Sequence, residues 1–326
     1  MKQEKNKKFK LFDPYRDGKG VEEIEDRTPS LKFFFKLAKR KFSQLLQLNL
    51  LMLFQIIPLL VIFFAVDIYG PKTAMTTDAL YAPLYGITKA SSASSASSML
   101  GLVGIQVESS LYYTPLMMII TAAMLLFLVI TYGWQNAGAA YVLRGLVRGD
   151  AVFVFSDYFY GIRRNRKPAF LMGLFDFFIT AILIADLLFL SPQTGAGYGT
   201  DVMYFLVLAV IIAYIFMRFY LYLLLITFDL SNFKVLKNAL IFTVLGIKRN
   251  LVSALGIALL LALHIALIIL TISFGLTFLV VLPFVYILAM LGFIATYAAY
   301  PIIDRYMIAP YATPAVEAPA EDTTEQ

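Results

Sequence analysis

Hydrophobic positions along the chain gather into six long runs, and polar or charged positions occupy the segments between them. The runs cover residues 45–66, 113–132, 168–190, 202–228, 251–274 and 276–300. Each run is long enough to cross about 30 Å of hydrocarbon as an α-helix that rises about 1.5 Å per residue. The pattern therefore predicts an all-α, polytopic membrane protein with six transmembrane helices. The last two runs almost touch, so we expect a tight turn at Gly275.

Polar segments flank the predicted membrane domain, which covers residues 30–309. Residues 1–29 are polar and mixed in charge, with no short apolar core after the first cations, so we expect a cytoplasmic segment without a signal peptide. Residues 310–326 are proline-rich and acidic, so we expect a disordered tail. The Ser/Ala tract at 91–98 predicts a solvated linker, with a substrate-binding or partner-binding loop as the alternative.

Three segments mix aromatic or aliphatic side chains with cations, and each comes just before an outgoing apolar run. They are residues 31–42, for which Ser30 is the expected N-cap, 155–167 and 233–250. Such segments predict helices that lie in the membrane surface. The motif GIRRN at 161–165 returns as GIKRN at 246–250. We therefore expect three hairpins as parallel repeats, each preceded by a cytoplasmic amphipathic helix.

The distribution of cations predicts the orientation of the chain. Thirteen Lys and Arg residues precede the first run, six lie within 133–167 and four within 229–250, whereas two lie within 67–112. Because Lys and Arg are retained on the cytoplasmic side, we expect both termini in the cytoplasm of a cell with this protein in its plasma membrane. The net charge of +6 adjoins apolar runs. We therefore expect anionic lipid headgroups as partners, and no nucleic acid.

Charged side chains inside the apolar runs are few, and one at mid-bilayer costs on the order of 3 kcal/mol. Asp176 and Arg218 lie roughly 12 and 15 Å from the cytoplasmic face on antiparallel neighbours, which predicts an ion pair, with a substrate or proton site as the alternative. His264 completes the candidate intramembrane polar cluster. We expect its neutral imidazole to bond a neighbouring helix, with a proton relay as the alternative.

Smaller polar and structural features of the runs add local predictions. Gln47 and Gln55 share a face of the first run, which we expect to turn toward the bundle. Gly133 and Gly138 predict close helix packing at the inner end of the second run. Pro58, and Pro283 in the sixth run, predict kinks.

The composition argues against metal, thiol and familiar catalytic chemistry. The chain has no cysteine and one histidine, so one chain cannot form a disulfide, a thiolate site or an imidazole-rich zinc site. The signatures GxxxxGK[ST], GxSxG, HExxH and DxDxDG do not occur. We therefore expect a protein that is not an enzyme and that needs no cofactor or metal.

Four stretches of the chain resemble the YesL-like family of bacterial integral membrane proteins, a family with a domain of unknown function. They are FDPYRDGKGVEEIE at 12–25, KRKFSQLLQLNLLMLFQIIP at 39–58, GAAYVLRGLVRGD at 138–150 and FKVLKNALIFTVLGIKRN at 233–250. The resemblance implies a Gram-positive source and a role near carbohydrate ABC transporters. No catalytic residue is implied. The long segment with the Ser/Ala tract departs from the family pattern.

Two classes of function follow from these features. The first is a non-enzymatic accessory or regulatory protein for carbohydrate uptake that docks on ABC transporter permease subunits. Candidate cytoplasmic docking residues are those of the repeated motif: Arg163, Arg164, Asn165, Lys248, Arg249 and Asn250. The second is an independent secondary transporter with a site around Asp176, Arg218 and His264.

Overall fold

The computed structural model describes residues 28–69, 115–195, 197–276 and 284–311. Within these ranges the chain forms ten α-helices and no strand. The helices are α1 (Leu31–Arg40), α2 (Phe42–Leu53), α3 (Ile56–Tyr69), α4 (Pro115–Arg148), α5 (Val154–Arg164), α6 (Arg166–Leu190), α7 (Tyr198–Thr227), α8 (Asn232–Leu245), α9 (Ile247–Ser273) and α10 (Ile287–Ile303). A 3-10 turn, Ser191–Gln193, follows α6, and a π-helical turn, Asp304–Ile308, then a 3-10 turn, Ala309–Tyr311, follow α10.

Six stretches of helix in the described ranges are long and apolar enough to cross a membrane. This confirms the predicted all-α polytopic class. The stretches are Phe42–Ile62, Pro115–Arg148, Arg166–Gln193, Tyr198–Thr227, Ile247–Ser273 and Ile287–Tyr311. Those that match the runs 45–66, 168–190, 202–228 and 251–274 differ from them by a few residues at each end. The second and sixth differ more.

The second span continues well beyond the predicted end of its apolar run at Tyr132. Helix α4 extends to Arg148, because a helix does not end where the chain merely becomes less apolar. Its continuation is rich in small and strongly helix-forming residues, and Gly138 and Ala139 are buried against neighbouring helices. The indole of Trp134 donates to the Arg166 carbonyl oxygen at 2.9 Å. Trp134 therefore connects α4 to the start of α6.

Helix α10 begins at Ile287, whereas the apolar run predicted for the sixth span starts at residue 276; residues 277–283 lie outside the described ranges. Helix α9 ends at Ser273, and Gly275, two residues later, has a φ of 72° that suits glycine. The start of α10 is fixed by Asn49 of α2, a fully buried side chain. Its Oδ1 accepts from the Ala289 N–H at 3.1 Å, and its Nδ2 donates to the Phe284 carbonyl oxygen at 2.8 Å. A distant side chain thus caps this helix.

Asn49 also corrects the prediction for the first span. Gln47 is exposed and Gln55 is half-buried, so they do not mark the face turned toward the bundle. The expected periodicity fails because the helix is interrupted between Leu53 and Ile56. Pro58, four residues after Phe54, lacks the N–H that would continue the helix there, so the predicted kink is present.

The cations gather at one end of the bundle, where α4 and α7 end and α6 and α9 begin; we call this the cationic end. Side chains join the helix ends there by bonding backbone carbonyl oxygens. Arg144 Nη1 donates to Ile226 O at 3.2 Å and to Thr227 Oγ1 at 3.0 Å. Asn232 Nδ2 donates to Pro168 O at 3.2 Å. The bond from Arg144 satisfies an acceptor that the C-terminus of α7 leaves open.

Helix α1 closes the cationic end by packing its aromatic side chains on α10. Ser30 caps α1 as predicted, because its hydroxyl accepts from the Phe33 N–H at 3.2 Å. Phe34 lies 5.5 Å from the Phe293 ring, and the Tyr297 hydroxyl donates to the Ser30 carbonyl oxygen at 2.7 Å. The first and last helices of the bundle are therefore joined directly.

Several predictions concern residues outside the described ranges. They are those for residues 1–27, for the Ser/Ala tract at 91–98, for Pro283 and for the tail from residue 312.

Candidate functional site

The predicted ion pair between Asp176 of α6 and Arg218 of α7 forms. Arg218 Nε lies 3.0 Å from Asp176 Oδ1 and 3.2 Å from Oδ2. The carboxylate is fully buried, whereas the Arg218 side chain is 32% exposed. A buried charge is tolerated in an apolar bundle only when an opposite charge and hydrogen bonds satisfy it, and this pair meets the first condition.

Tyrosine hydroxyls meet the second condition, hydrogen bonding of the buried charge. Tyr214 donates to Asp176 Oδ1 at 2.7 Å, and Tyr222 donates to Oδ2 at 2.9 Å. On the other side of the pair, Arg218 Nη2 donates to the Tyr132 hydroxyl oxygen at 2.8 Å. Each carboxylate oxygen therefore accepts at least one hydroxyl in addition to the guanidinium. The cluster connects α4, α6 and α7 inside the membrane-spanning region.

A close crossing of α4 and α6 brings Tyr132 to the pair. Gly133, next to Tyr132, faces Gly173, one helical turn before Asp176. A Cβ atom added to Gly133 would lie 2.7 Å from the Gly173 Cα and would collide with the Ala169 carbonyl oxygen. Only a residue without a side chain permits this approach. The predicted role of Gly133 in close packing is confirmed.

The chemistry of this cluster is limited because its charges and hydrogen-bonding groups pair with one another. One guanidinium neutralises one carboxylate, and hydroxyl donors occupy both carboxylate oxygens, so Asp176 keeps no obvious acceptor for a substrate. The arrangement instead resembles a tie between helices, which is strong because charge-assisted bonds act in a low-dielectric interior.

The tyrosines of the cluster were not among the predicted site residues. The signal was present in the sequence: Tyr214, Arg218 and Tyr222 are spaced four residues apart and so share one face of a helix. Thr180 lies likewise one turn after Asp176, and its Oγ1 is 3.5 Å from Asp176 Oδ1. Polar residues at this spacing around an intramembrane charge predict its partners.

His264 lies on α9, apart from the Asp176 pair. Its ring is 5.1 Å from the Tyr286 ring, and its Nδ1 is 2.7 Å from the Leu260 carbonyl oxygen of the same helix. No hydrogen bond among the described residues joins it to Asp176 or Arg218. Because a carbonyl oxygen can only accept, Nδ1 carries the proton, and the buried Nε2 has no partner within the described ranges. The expected bond to a neighbouring helix is replaced by one within α9.

The candidate docking residues of the first motif divide into two groups. Asn165 is buried, and its Nδ2 donates to the Gly161 carbonyl oxygen at 2.9 Å, which shapes the junction of α5 and α6. Arg163 and Arg164 are exposed at the cationic end. The two arginines are therefore exposed, whereas the asparagine is used in a hydrogen bond within the fold.

The second motif uses its residues differently. Asn250 is fully buried, accepts from the Tyr220 hydroxyl at 2.8 Å and donates to the Thr243 carbonyl oxygen at 3.1 Å. Arg249 donates from Nε to Ala298 O at 3.0 Å and from Nη2 to Tyr297 O at 3.2 Å. Of this motif's candidates, Lys248 alone is exposed.

An open groove of about 660 Å³ lies beside Arg164, one of the exposed arginines of the first motif. One wall holds Arg164 and Pro168, at the junction of α5 and α6. The other is the connection from α7 to α8, including Thr227 and Asp229. Both walls carry polar groups at the cationic end, so the groove can take a polar or charged segment.

Comparison with known proteins does not assign the chain to a family. The chain matches no protein-family model, no curated protein and no solved structure.

Proposed function

We propose that this chain is a non-enzymatic membrane protein that assists or regulates carbohydrate uptake by docking on the permease subunits of an ABC transporter. The observation that carries the proposal is the contrast between satisfied charges in the spans and exposed cations at the cationic end. Asp176 and Arg218 serve each other and their tyrosines, whereas Arg163, Arg164 and Lys248 are exposed. The choice of an ABC transporter as the partner rests on the resemblance to YesL-like proteins.

The proposed contact joins an acidic cytoplasmic loop of a permease subunit to the groove beside Arg164. Exposed arginines are suited to it, since the planar guanidinium binds a carboxylate through two parallel hydrogen bonds. Asn165, Arg249 and Asn250 are engaged within the fold and contribute by holding the surface in place.

Co-purification of the full chain with permease subunits tests the proposal. Arg164→Lys keeps the charge and removes the planar fork, so it should reduce permease recovery, and Arg164→Glu should abolish it. Lys72→Glu, which changes a cation between the first and second spans, is the matched control. Equal recovery of permease subunits by all variants and the parent would show that the groove is not the docking surface.

The proposed location is the plasma membrane of a Gram-positive bacterium, with both termini in the cytoplasm. Because the chain has no cysteine, single cysteines at Ser95, Ser156 and Thr323 can report orientation. An impermeant thiol reagent applied to intact cells should label only position 95. Labelling at position 156 would reverse the proposed orientation.

An independent secondary transporter is the second candidate, and the start of α10 favours it. Helix α9 continues nine residues past His264, roughly 13 Å at the helical rise, whereas α10 begins only at Ile287, beside the His264 ring. Helices that start inside the membrane often border transport sites, and His264 Nε2, which has no hydrogen-bond partner among the described residues, lies there.

Uptake by proteoliposomes that contain only this chain separates the two candidates. A transporter would accumulate sugar or drive a pH change alone, and His264→Gln would abolish either signal. A docking protein would show neither without its permease subunits.

A further inference from the structure

The three surface helices α1, α5 and α8 each expose an apolar sector that the fold does not cover. In α5, Val154, Tyr158 and Gly161 face the bundle, and burial raises the pKa of the Tyr158 phenol far above its usual value. Phe155 and Phe159 are 50% and 48% exposed. At about 100° per residue they lie about a third of a turn clockwise from the buried sector, viewed from the N-terminus.

Helix α8 repeats this arrangement. Val235 and Ala239 face the bundle. Leu240, 57% exposed, lies about a third of a turn clockwise from them, and Phe233, 77% exposed, lies slightly farther round. Lys237 follows at about half a turn. In α5 the corresponding cation is Arg163, also about half a turn from the buried sector.

Helix α1 has the same order of sectors. Leu37 and Ala38 are buried, Leu31 and Phe35 are 67% and 68% exposed, and Lys32 comes next in the same direction. Each helix therefore presents, in one rotational sense, the bundle, then apolar side chains, then cations. The three helices differ in length and in most of their residues but share this order. Parallel repeats require such an order if one external surface covers all three.

We infer that α1, α5 and α8 lie within one leaflet of the membrane, at the cationic end, with their apolar sectors in the acyl chains and their cations on anionic lipid headgroups. The described residues contain six stretches that are long and apolar enough to cross a membrane, so a leaflet adjoins the end of each such stretch. An apolar sector beside a cationic one is complementary to the acyl and phosphate layers of such a leaflet. The inference does not depend on the proposed function, because lipid alone is the partner.

Spin labels on single cysteines test which sector of each helix contacts the acyl chains. The full chain has no other cysteine, so each variant carries one label. Phe35→Cys, Phe159→Cys and Leu240→Cys sample the apolar sectors, and Lys32→Cys, Arg163→Cys and Lys237→Cys are their matched controls. In vesicles of phosphatidylcholine and phosphatidylglycerol without other protein, labels in apolar sectors should collide mainly with oxygen. Control labels should collide mainly with a water-soluble nickel complex. Equal access of both sets to nickel would overturn the inference, and three helices keep the test valid if one variant misfolds.

A second measurement tests the lipid charge. Addition of phosphatidylglycerol to phosphatidylcholine vesicles should raise the Tm of the parent by several degrees. The rise should shrink at least twofold in a Lys32→Gln, Arg163→Gln, Lys237→Gln variant. It should persist in a Lys72→Gln, Lys89→Gln variant, which loses cations from between the first and second spans. An equal rise in both variants would show that these cations do not bind anionic headgroups.

Discussion

The motif GIRRN at the junction of α5 and α6 and the motif GIKRN at the junction of α8 and α9 share a local structure but secure their outgoing helices differently. In both, the terminal asparagine is buried and donates to a backbone carbonyl oxygen. Beyond the first junction, α6 is tied to α7 by the Asp176 ion pair inside the span. At the second junction, α9 is tied to α10 by Arg249 of the motif itself.

Pro301 explains why the second arginine is recruited. It lies inside α10 and has no N–H to offer the Tyr297 carbonyl oxygen one turn earlier. Arg249 donates to that oxygen and to the adjacent one of Ala298. The side chain of Arg164, at the equivalent position of the first motif, is exposed. The repeated motif thus forms a similar turn at both junctions, whereas the contacts of its second cation depend on the neighbouring helix.

The largest effect should come from breaking the tie on α6. Asp176→Ala leaves Arg218 inside the bundle without its counter-charge, and the loss of a buried partner costs about 3 to 5 kcal/mol. Unfolding in lipid nanodiscs, followed by the fluorescence of the single Trp134, measures it. Trp134 packs against Phe170 of α6 at 6.0 Å between rings, so it reports on this helix.

The double variant Asp176→Ala with Arg218→Ala is the control for that prediction. It removes both charges and should recover much of the lost stability. Strict additivity of the two single effects would show that the residues do not interact in the membrane.

A smaller effect should distinguish the two asparagines. Asn250→Ala removes two hydrogen bonds and leaves the Tyr220 hydroxyl and the Thr243 carbonyl oxygen buried without partners, at about 1 to 3 kcal/mol in total. Asn165→Ala removes one bond within its own helix turn and should cost about 1 kcal/mol. The same unfolding assay compares them, and a larger loss for Asn165→Ala would contradict the assigned contacts.

The parts of this structure that the sequence predicts are those set by local composition or by helical rise. Hydropathy located the spans, and counting residues from the membrane surface brought Asp176 and Arg218 to similar depths. The contacts of Asn49 with α10 and of Arg249 with Tyr297 could not be predicted this way. They join residues 240 and 48 positions apart in the chain, and they depend on how helices pack and align in three dimensions.

The two arginines should respond differently to a conservative change. Arg249→Lys retains a charge but cannot reach two adjacent carbonyl oxygens with a planar fork, so about 1 kcal/mol of stability should be lost. Arg164→Lys, at an exposed position, should leave the midpoint of unfolding unchanged. Permease recovery should show the reverse order if Arg164 is the docking residue, so the pair separates stability from binding.

The smallest expected effect is the coupling between Arg249 and Pro301. Pro301→Ala restores a backbone N–H, which can then bond the Tyr297 carbonyl oxygen within α10. Arg249 would have one fewer open acceptor to satisfy, so Arg249→Lys should cost less in the Pro301→Ala background than in the parent. We expect an interaction energy of about 0.5 to 1 kcal/mol in a double-mutant cycle. Arg144→Lys, whose side chain bonds the end of α7 instead, should show no coupling to Pro301→Ala. If the effects of Arg249→Lys and Pro301→Ala on stability are additive, then Pro301 is not the reason why Arg249 bonds α10 while Arg164 stays exposed.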